Sequence, residues 1–265
     1  MTKVWFITGA ARGLGAEIAK AALAAGDKVV ATARRPESIR HTHGTSDNLL
    51  AVGLDVTRED QVKEAVSAAV AHFGRIDVLV NNAGYGQLGV FEETTLEEIR
   101  DQYETNVFGL MAVTQEVAPL MRKQRSGRIF NISSVAGFKG VFGGSIYNSS
   151  KFAVEGFTQA IAEELAHFGI LVTSISPGFF RTDFLDSSSV KYSNHTIADY
   201  DKPLADFRDF HDDRNHEQAG DPAKLAKVLL HLAEVEKPPV SFIAGSDGLE
   251  WVTEVHKNLQ SQIEE

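Results

Sequence analysis

The sequence contains no cysteine. This absence excludes disulfides, thiolate catalysis and cysteine-ligated metals, and it leaves the redox compartment open. No apolar run approaches the roughly 18 residues of a membrane span, and the opening MTKVWFITGA is too short and too polar for a signal peptide. Basic residues are in deficit, and the formal net charge is −10. Because phosphate binding needs a basic surface, we expect a soluble, cytoplasmic protein with neither a nucleic-acid nor a membrane partner.

What the chain does contain is a series of short apolar runs separated by longer segments. Its 265 residues are 43% hydrophobic, which is enough for one large α/β domain. The runs are rich in β-branched residues and apolar throughout, as strands covered on both faces are. They are KVWFIT (3–8), KVVATA (28–33), LLAVGLDV (49–56), IDVLVN (76–81), RIFNIS (128–133), ILVTSIS (170–176) and VSFIA (240–244).

The segments between these runs have helical periodicity. We predict helices over 15–26, 57–74 and 95–124, with Thr57 as the cap of the second and Pro119 kinking the third or splitting off its last turn. Strands that alternate with helices form right-handed βαβ units. The predicted fold class is therefore α/β, a doubly wound parallel seven-stranded sheet with helices on both faces.

Two segments depart from the alternation. Residues 183–216 are polar and studded with aromatics, and we predict a loop that covers the substrate. Residues 246–265 indicate a C-terminal helix that begins with a capping box of Asp247 and Glu250. Its apolar stripe would consist of Trp251, Val252, Val255 and Leu259.

A glycine-rich turn, TGAARGLG (8–15), follows the first strand and opens the first helix. Glycines let backbone N–H groups approach a ligand, and the helix N-terminus then faces an anion such as a dinucleotide pyrophosphate. A purely structural turn is the alternative. At the end of the second strand, Ala33 stands where NAD-binding folds usually carry an acidic residue, and Arg34 and Arg35 follow. With Arg12 in the turn, these arginines favour the 2′-phosphate of NADP(H), unless they are only solvated.

The stretch SIYNSSKFAV (145–154) places Tyr147 four residues before Lys151, on one face of a helix. Alone, Tyr147 could simply cover apolar surface at a helix start. An unperturbed tyrosine has a pKa of about 10, and a neighbouring ammonium would lower it. The pair could then act as a general acid or a general base.

Three further motifs complete a set. NNAG (81–84) follows the fourth strand, NISS (131–134) ends the fifth and PGFFRT (177–182) ends the sixth. Together with TGAARGLG, YNSSK and an Asn in ETNVFG, and over about residues 3–182, this set resembles the short-chain dehydrogenase/reductase family. The resemblance implies a single Rossmann-type domain over 1–265 that transfers a hydride between NAD(P) and an alcohol or carbonyl.

The resemblance also assigns roles to residues. Tyr147 would exchange the proton, Lys151 would activate it, Ser134 would bind the substrate oxygen, and Asn106 would hold a water that relays protons to Lys151. Ser133 competes with Ser134, and an asparagine inside a helix could instead bridge backbone. The implied cofactor contacts are Gly9, Ala11, Arg12, Gly13, Leu14, Gly15, Arg34, Arg35, Asp55, Val56, Asn82, Ala83, Gly84, Ile132, Tyr147, Lys151, Pro177, Gly178 and Thr182.

Other readings are weaker. His41 and His43 are expected in a polar loop, and His211 and His216 flank two aspartates without a metal-ligand spacing, so no metal is expected. No GxSxG elbow surrounds Ser134, which disfavours a hydrolase. A non-catalytic NADP-binding sensor remains the alternative function, although the chain keeps the whole Tyr, Lys and Ser set.

Substrate and assembly are less constrained by the sequence. Aromatic residues in 85–93, 135–146 and 179–216 would suit an apolar or ring-containing ketone, aldehyde or secondary alcohol. The resemblance implies a homo-oligomer in which helices 95–122 and 148–168 pair. Because the chain continues past the seventh strand into another helix, we favour a dimer over a tetramer.

Overall fold

A seven-stranded parallel sheet organises the computed structural model, which describes residues 2–265. All seven predicted strands are present, each within about two residues at its start. A separate pair of short parallel strands was not predicted. In chain order the strands are β1 (Val4–Ile7), β2 (Lys28–Ala33), β3 (Leu49–Gly53), β4 (Val78–Asn81), β5 (Gly86–Leu88), β6 (Gly127–Ile132), β7 (Ile170–Pro177), β8 (Val190–Tyr192) and β9 (Ser241–Ala244).

Helices cover both faces of the sheet, as the alternation predicts. They are α1 (Gly13–Ala24), α2 (Pro36–His43), α3 (Glu59–Phe73), α4 (Leu96–Tyr103), α5 (Gly109–Gln124), α6 (Ser145–Ala166), α7 (Asp201–Asp212), α8 (Pro222–Leu232) and α9 (Ser246–Glu264). On one face, Ile18 of α1 and Leu229 of α8 pack with Trp5. On the other face, Val66 of α3 and Val113 of α5 pack with Phe6. Side chains alternate across each strand, so each face of the sheet packs its own apolar layer.

The strand order places a crevice at one point of the sheet. The order is β3-β2-β1-β4-β6-β7-β9, so the chain builds outward from β1 in one direction and from β4 in the other. Ile7 of β1 lies opposite Val80 of β4 in the parallel register. Ligands of open α/β sheets bind at the carboxyl ends of the strands where the order reverses. The glycine turn and NNAG therefore meet at the mouth of this crevice.

The helix predicted over 95–124 is interrupted at a place that the sequence did not indicate. A capping box of Thr95 and Glu98 starts α4, and a π-helical turn at Glu104–Phe108 then separates it from α5. Pro119 lies inside α5 and splits off no turn. The Thr57 cap is also wrong, because α3 begins after Arg58 while Thr57 Oγ1 donates to Asp55 Oδ1 at 2.8 Å.

The segment 183–216 contains more regular structure than predicted. It holds β8, which pairs with β5, and α7, whose Leu204 is buried. The predicted capping box of α9 is wrong, since no side chain caps that helix. Asp247 Oδ2 instead accepts from the backbone N of Phe179 at 2.7 Å. Val252 is buried as predicted, but Leu259 is 54% exposed.

The last feature of the fold is the length and apolar character of its helices. Among the helices at residues 2–265, none is both long enough and apolar enough to cross a lipid bilayer.

Candidate active site

Tyr147 and Lys151 occupy the first two turns of α6, next to the end of β6. Lys151 is buried, and its Nζ donates to the Ile132 carbonyl at 2.8 Å. The same Nζ lies 5.7 Å from the centre of the Tyr147 ring. Ser134 follows β6, and its Oγ accepts from the Ala136 N–H at 3.1 Å. The structure thus brings together the three residues that the spacing singled out.

Burial dominates the proton affinities of this pair. It raises the pKa of Tyr147 to about 12, and the Ser134 hydroxyl opposes that rise. It lowers the pKa of Lys151 to about 8, and the charge of Glu155 opposes that fall. The expected lowering of the Tyr147 pKa is therefore wrong, because burial of the phenolate raises the pKa more than the hydrogen bond with Ser134 lowers it. Tyr147 holds its proton at neutral pH.

Asn106 lies within the π-helical turn and is buried. Its Oδ1 accepts from the Tyr85 N at 3.1 Å, and its Nδ2 donates to the Tyr85 O at 2.9 Å. The backbone-bridging alternative is thus observed, since Asn106 ties α4 and α5 to the segment after NNAG. A π turn inserts one residue and re-aims the side chains near it, often at functional sites.

Of the two serines that end β6, only Ser134 has an accessible side chain. Ser133 is 3% exposed, and its hydroxyl has no partner within residues 2–265. Ser134 is half-buried and borders the space beside Tyr147. Accessibility therefore favours Ser134, as the spacing did.

The glycine turn is built against NNAG. Gly9 has φ of +67°, a conformation that L side chains rarely adopt. A Cβ at Gly15 would overlap the Gly9 carbonyl oxygen and the Asn82 amide. Asn82 Nδ2 donates to the Thr8 and Gly9 carbonyls at 2.9 and 3.1 Å. Thr8 Oγ1 in turn accepts from the backbone N of Asn82 and of Ala83, each at 2.9 Å. The turn is therefore fixed before any ligand arrives.

The N-terminus of α1 is open to an anion. Gly13, Leu14 and Gly15 form its first turn, and no side chain caps it. The first amides of a helix lack intrahelical partners and bind phosphate well. The residues present thus fit a dinucleotide pyrophosphate, which would lie across this turn. Thr182 also lies here, with its Cβ 3.7 Å from where a Gly13 Cβ would be.

Helix α2 braces the same turn, and this corrects the expectation for two histidines. His41 and His43 lie on α2 rather than in a loop. His43 Nε2 lies 2.8 Å from the Ala10 carbonyl, and Thr42 Oγ1 donates to the Ala11 carbonyl at 2.8 Å. His43 therefore supports the glycine turn.

The three arginines near the expected ribose differ in their contacts. Arg34 and Arg35 are exposed, and their guanidinium groups make no hydrogen bond within residues 2–265. Arg12 is engaged, because its Nη2 donates to Ser188 O and Ser189 Oγ, both at 2.8 Å. Arg12 thus joins the glycine turn to the segment before β8, and Arg34 and Arg35 are the free cations at the end of β2.

The remaining expected contacts surround the crevice. Asp55 and Val56 follow β3, and Asp55 Oδ1 also accepts from the Thr57 N at 3.1 Å. Gly84 packs on the Asn106 side chain. Pro177 ends β7, and the Gly178 N donates to the Ala244 carbonyl at 2.9 Å. The structure therefore places all of the expected contacts at the carboxyl edge of the sheet.

Aromatic side chains line the space above Tyr147. The ring of Phe184 lies 5.6 Å from that of Tyr147, and Phe179 lies 6.4 Å from Phe210 on α7. Lys191 of β8 lies over the ring of Tyr85, 4.5 Å from its centre. Through Phe184, the segment 183–216 thus places an aromatic side chain against Tyr147.

One cluster of possible metal ligands lies in that segment. Donor atoms of Asp183, Asp186 and His216 lie within 4.8 Å of one another, and His216 Nε2 is 3.2 Å from Asp186 Oδ1. Exposed acidic groups often cluster without an ion, so we assign no metal to these three residues.

Sequence reasoning missed several supporting residues. Asn148 Nδ2 donates to the carbonyls of Ala136 and Lys139 at 3.0 and 2.6 Å, which secures the loop after Ser134. Glu155 is buried one turn beyond Lys151. Asn148 and Glu155 could have been found from the sequence, because each is a polar residue on the buried face of α6. Thr8 could have been found because it is a hydroxyl residue between a strand and a glycine.

Comparison with known proteins places this geometry in a family. The family described as "short chain dehydrogenase" matches residues 3–193. The curated protein "Oxidoreductase BOA17" of Botryotinia fuckeliana is 38% identical over 100% of this chain and 96% of its own length. The "3-ketodihydrosphingosine reductase" of Bacteroides thetaiotaomicron is 35% identical, over 89% of this chain and 86% of its own.

Solved structures of related proteins have the same fold as this chain. A short-chain dehydrogenase from Streptomyces avermitilis superposes with a TM-score of 0.90 at 37% identity, over 99% of this chain and 96% of that one. ElxO with NADP bound has a TM-score of 0.78 at 28% identity, over 94% and 100% of the two chains. A 3-ketoacyl-(acyl-carrier-protein) reductase from Brucella melitensis, complexed with NADH, has a TM-score of 0.77 at 26% identity, over 91% and 96%.

Proposed function

The chain belongs to the short-chain dehydrogenase/reductase family of oxidoreductases, and on that premise we propose that it is an NADP(H)-dependent reductase of apolar or ring-containing ketones and aldehydes. One observation carries the proposal. Tyr147 keeps its proton in a partly desolvated position beside Ser134 and Lys151, at the crevice that the uncapped α1 opens. A group in that state is a proton donor, which suits carbonyl reduction.

Tyr147, Ser134 and Lys151 have different roles in the proposed reaction. The nicotinamide, when bound, supplies the hydride. Tyr147 donates its phenolic proton to the carbonyl oxygen, so that a C–H and an O–H bond form as the C=O π bond breaks. Ser134 donates a hydrogen bond to the same oxygen and stabilises the charge that develops on it. The Lys151 ammonium stabilises the phenolate that Tyr147 leaves behind.

The preference for NADP(H) rests on the free guanidinium groups of Arg34 and Arg35. Ala33 offers no carboxylate to a ribose 2′-OH, whereas an arginine binds a phosphate in a two-pronged contact. Because Arg12 already contacts Ser188 and Ser189, we assign the 2′-phosphate to Arg34 and Arg35. ElxO, which binds NADP, supports this choice less directly than the charges do, since the Brucella relative was solved with NADH.

Binding of the two cofactors tests this part of the proposal without any substrate. Calorimetry should give NADPH an affinity at least about tenfold higher than NADH, a difference of roughly 1.4 kcal/mol. Arg34→Asp should remove that margin. Arg122→Asp, at the exposed end of α5, is the matched control and should keep it. Equal or tighter binding of NADH by the wild-type protein would contradict the preference.

The proposed class of substrate, apolar or ring-containing carbonyls, rests on the aromatic side chain beside Tyr147. The ring of Phe184 borders Tyr147, so an apolar group on the carbonyl carbon would replace water there. The Bacteroides relative, which is named a 3-ketodihydrosphingosine reductase, supports a ketone as the substrate. Turnover of small hydrophilic carbonyls far faster than of apolar ones would contradict it.

We also propose a homodimer. Large apolar side chains of α4, the π turn and α6 are exposed, with Leu96 at 67%, Phe108 at 52% and Phe152 at 46%. A second copy that pairs its own helices with these would bury them. Light scattering at micromolar concentration should give a dimer, and a stable monomer or tetramer would contradict this.

A further inference from the structure

Glu155 is a buried charged residue that the proposed chemistry does not use. It is 4% exposed and lies one helical turn after Lys151, which is 7% exposed. Residues four apart on a helix share a face. Burying a carboxylate costs several kcal/mol unless hydrogen bonds and charges compensate it. A carboxylate retained at this place therefore requires a physical reason.

Two hydroxyls of β7 hold the carboxylate in place. Ser174 Oγ donates to Glu155 Oε2 at 2.7 Å, and Ser176 Oγ donates to Oε1 at 2.6 Å. The serines are two residues apart on one strand and so face the same side of the sheet. Both carboxylate oxygens thus accept a hydrogen bond from a serine hydroxyl.

Gly137, in the turn after Ser134, packs against the part of α6 that contains Lys151 and Glu155. A Cβ at Gly137 would meet both Glu155 Cγ and the Lys151 carbonyl at 3.0 Å. The turn after Ser134 therefore lies directly on this stretch of α6. This packing joins the part of α6 that carries Lys151 and Glu155 to the turn that follows Ser134.

Few other ionisable groups surround Lys151. Tyr147 lies on the same helix, and β6 contributes a carbonyl from Ile132. β7 contributes only the two serine hydroxyls, and Asp247 of α9 is bonded to the Phe179 N–H. Within residues 2–265, Lys151 forms no salt bridge. Glu155 is the one charge found to favour the ammonium.

From this geometry we propose that Glu155 is a positioning residue for Lys151, whose buried carboxylate keeps the lysine in its ammonium form beside Tyr147. The inference deepens the proposed reductase activity and rests on it. At an effective dielectric constant of about 20, Coulomb's law gives opposite charges roughly 6 to 12 Å apart an interaction that corresponds to roughly one to two pH units of proton affinity. Without Glu155, Lys151 becomes neutral closer to physiological pH.

The titration of Lys151 tests this directly. In protein labelled with ¹³C at the lysine Cε, NMR follows the Lys151 signal with pH, and the signal is assigned by its loss in Lys151→Met. Glu155→Gln keeps the shape of the side chain and removes its charge. Glu155→Met also removes the charge, and Ser174 Oγ then still has Ser241 Oγ within 3.3 Å. Glu163→Gln, an exposed position on the same helix, is the matched control.

Both neutral variants should lower the Lys151 midpoint by about one to two pH units, and Glu163→Gln should leave it unchanged. The alkaline limb of the kcat/KM profile for ketone reduction should move the same way. An unmoved midpoint in a folded neutral variant overturns the proposal, as does failure of both variants to fold, since Glu155 is then only structural. A shifted midpoint in an enzyme that reduces no ketone leaves this inference standing and counts against the proposed function.

Discussion

Lys151 should destabilise the fold at neutral pH. Burial lowers its pKa from 10.5 to about 8, so the unfolded chain binds a proton that the folded chain releases between these two values. Stability therefore rises as the pH increases from about 8 to about 10.5, and the full penalty is present below pH 8. At 1.36 kcal/mol per pH unit, the shift corresponds to about 3 kcal/mol.

The variant that removes this penalty is Lys151→Met, which keeps the length of the side chain and loses its charge. Urea unfolding at pH 7 should show it to be more stable than the wild-type protein by up to about 3 kcal/mol, although it should have lost activity. The gain should disappear as the pH approaches 10.5. Lys123→Met, at an exposed position of α5, is the control and should change stability little at any pH.

The comparison between variants reports on the Lys151 charge together with its effect on Glu155 and Tyr147. The other titrating groups are common to both proteins. Equal free energies of unfolding for wild type and Lys151→Met from pH 7 to pH 10 would show that the buried Lys151 ammonium does not destabilise the fold. A gain that persists at high pH would instead mean that methionine packs better there, with no contribution from the buried charge.

Two further predictions concern the frame of the site. Gly15→Ala should weaken NADPH binding at least about tenfold, because its Cβ would overlap the Gly9 carbonyl; calorimetry checks this, and undiminished binding would contradict it. Asp247→Ala should lower the free energy of unfolding by about 1–2 kcal/mol, through loss of the hydrogen bond to the Phe179 N–H. Thermal denaturation measures that, with exposed Asp213→Ala as control, and an unchanged midpoint would count against the contact.

Local patterns predicted the sheet and the glycine turn, because they express short-range rules. Each buried strand shows as an apolar run, and the seven runs indicated all seven strands of the sheet. The motifs likewise located Ser134, Tyr147 and Lys151, whose side chains lie together at one edge of the sheet.

Features that depend on distant partners were not predictable in this way. Asp247 forms no capping box because the Phe179 N–H, distant in sequence, competes for its carboxylate. The π turn at Asn106 depends on the Tyr85 backbone, and β5 needs β8 as its partner. The buried state of Glu155 depends on serines of β7. In each case a tertiary contact decided between local alternatives.

The central claim is that Tyr147 donates the proton in ketone reduction, and the most direct measurement compares wild type with Tyr147→Phe on a panel of apolar ketones with NADPH. We expect the wild-type protein to oxidise NADPH and the variant to lose roughly 10²- to 10⁴-fold in kcat. NADPH binding should be retained in the variant, as calorimetry would show. Equal turnover by both proteins would contradict the account, as would equal inertness across the panel.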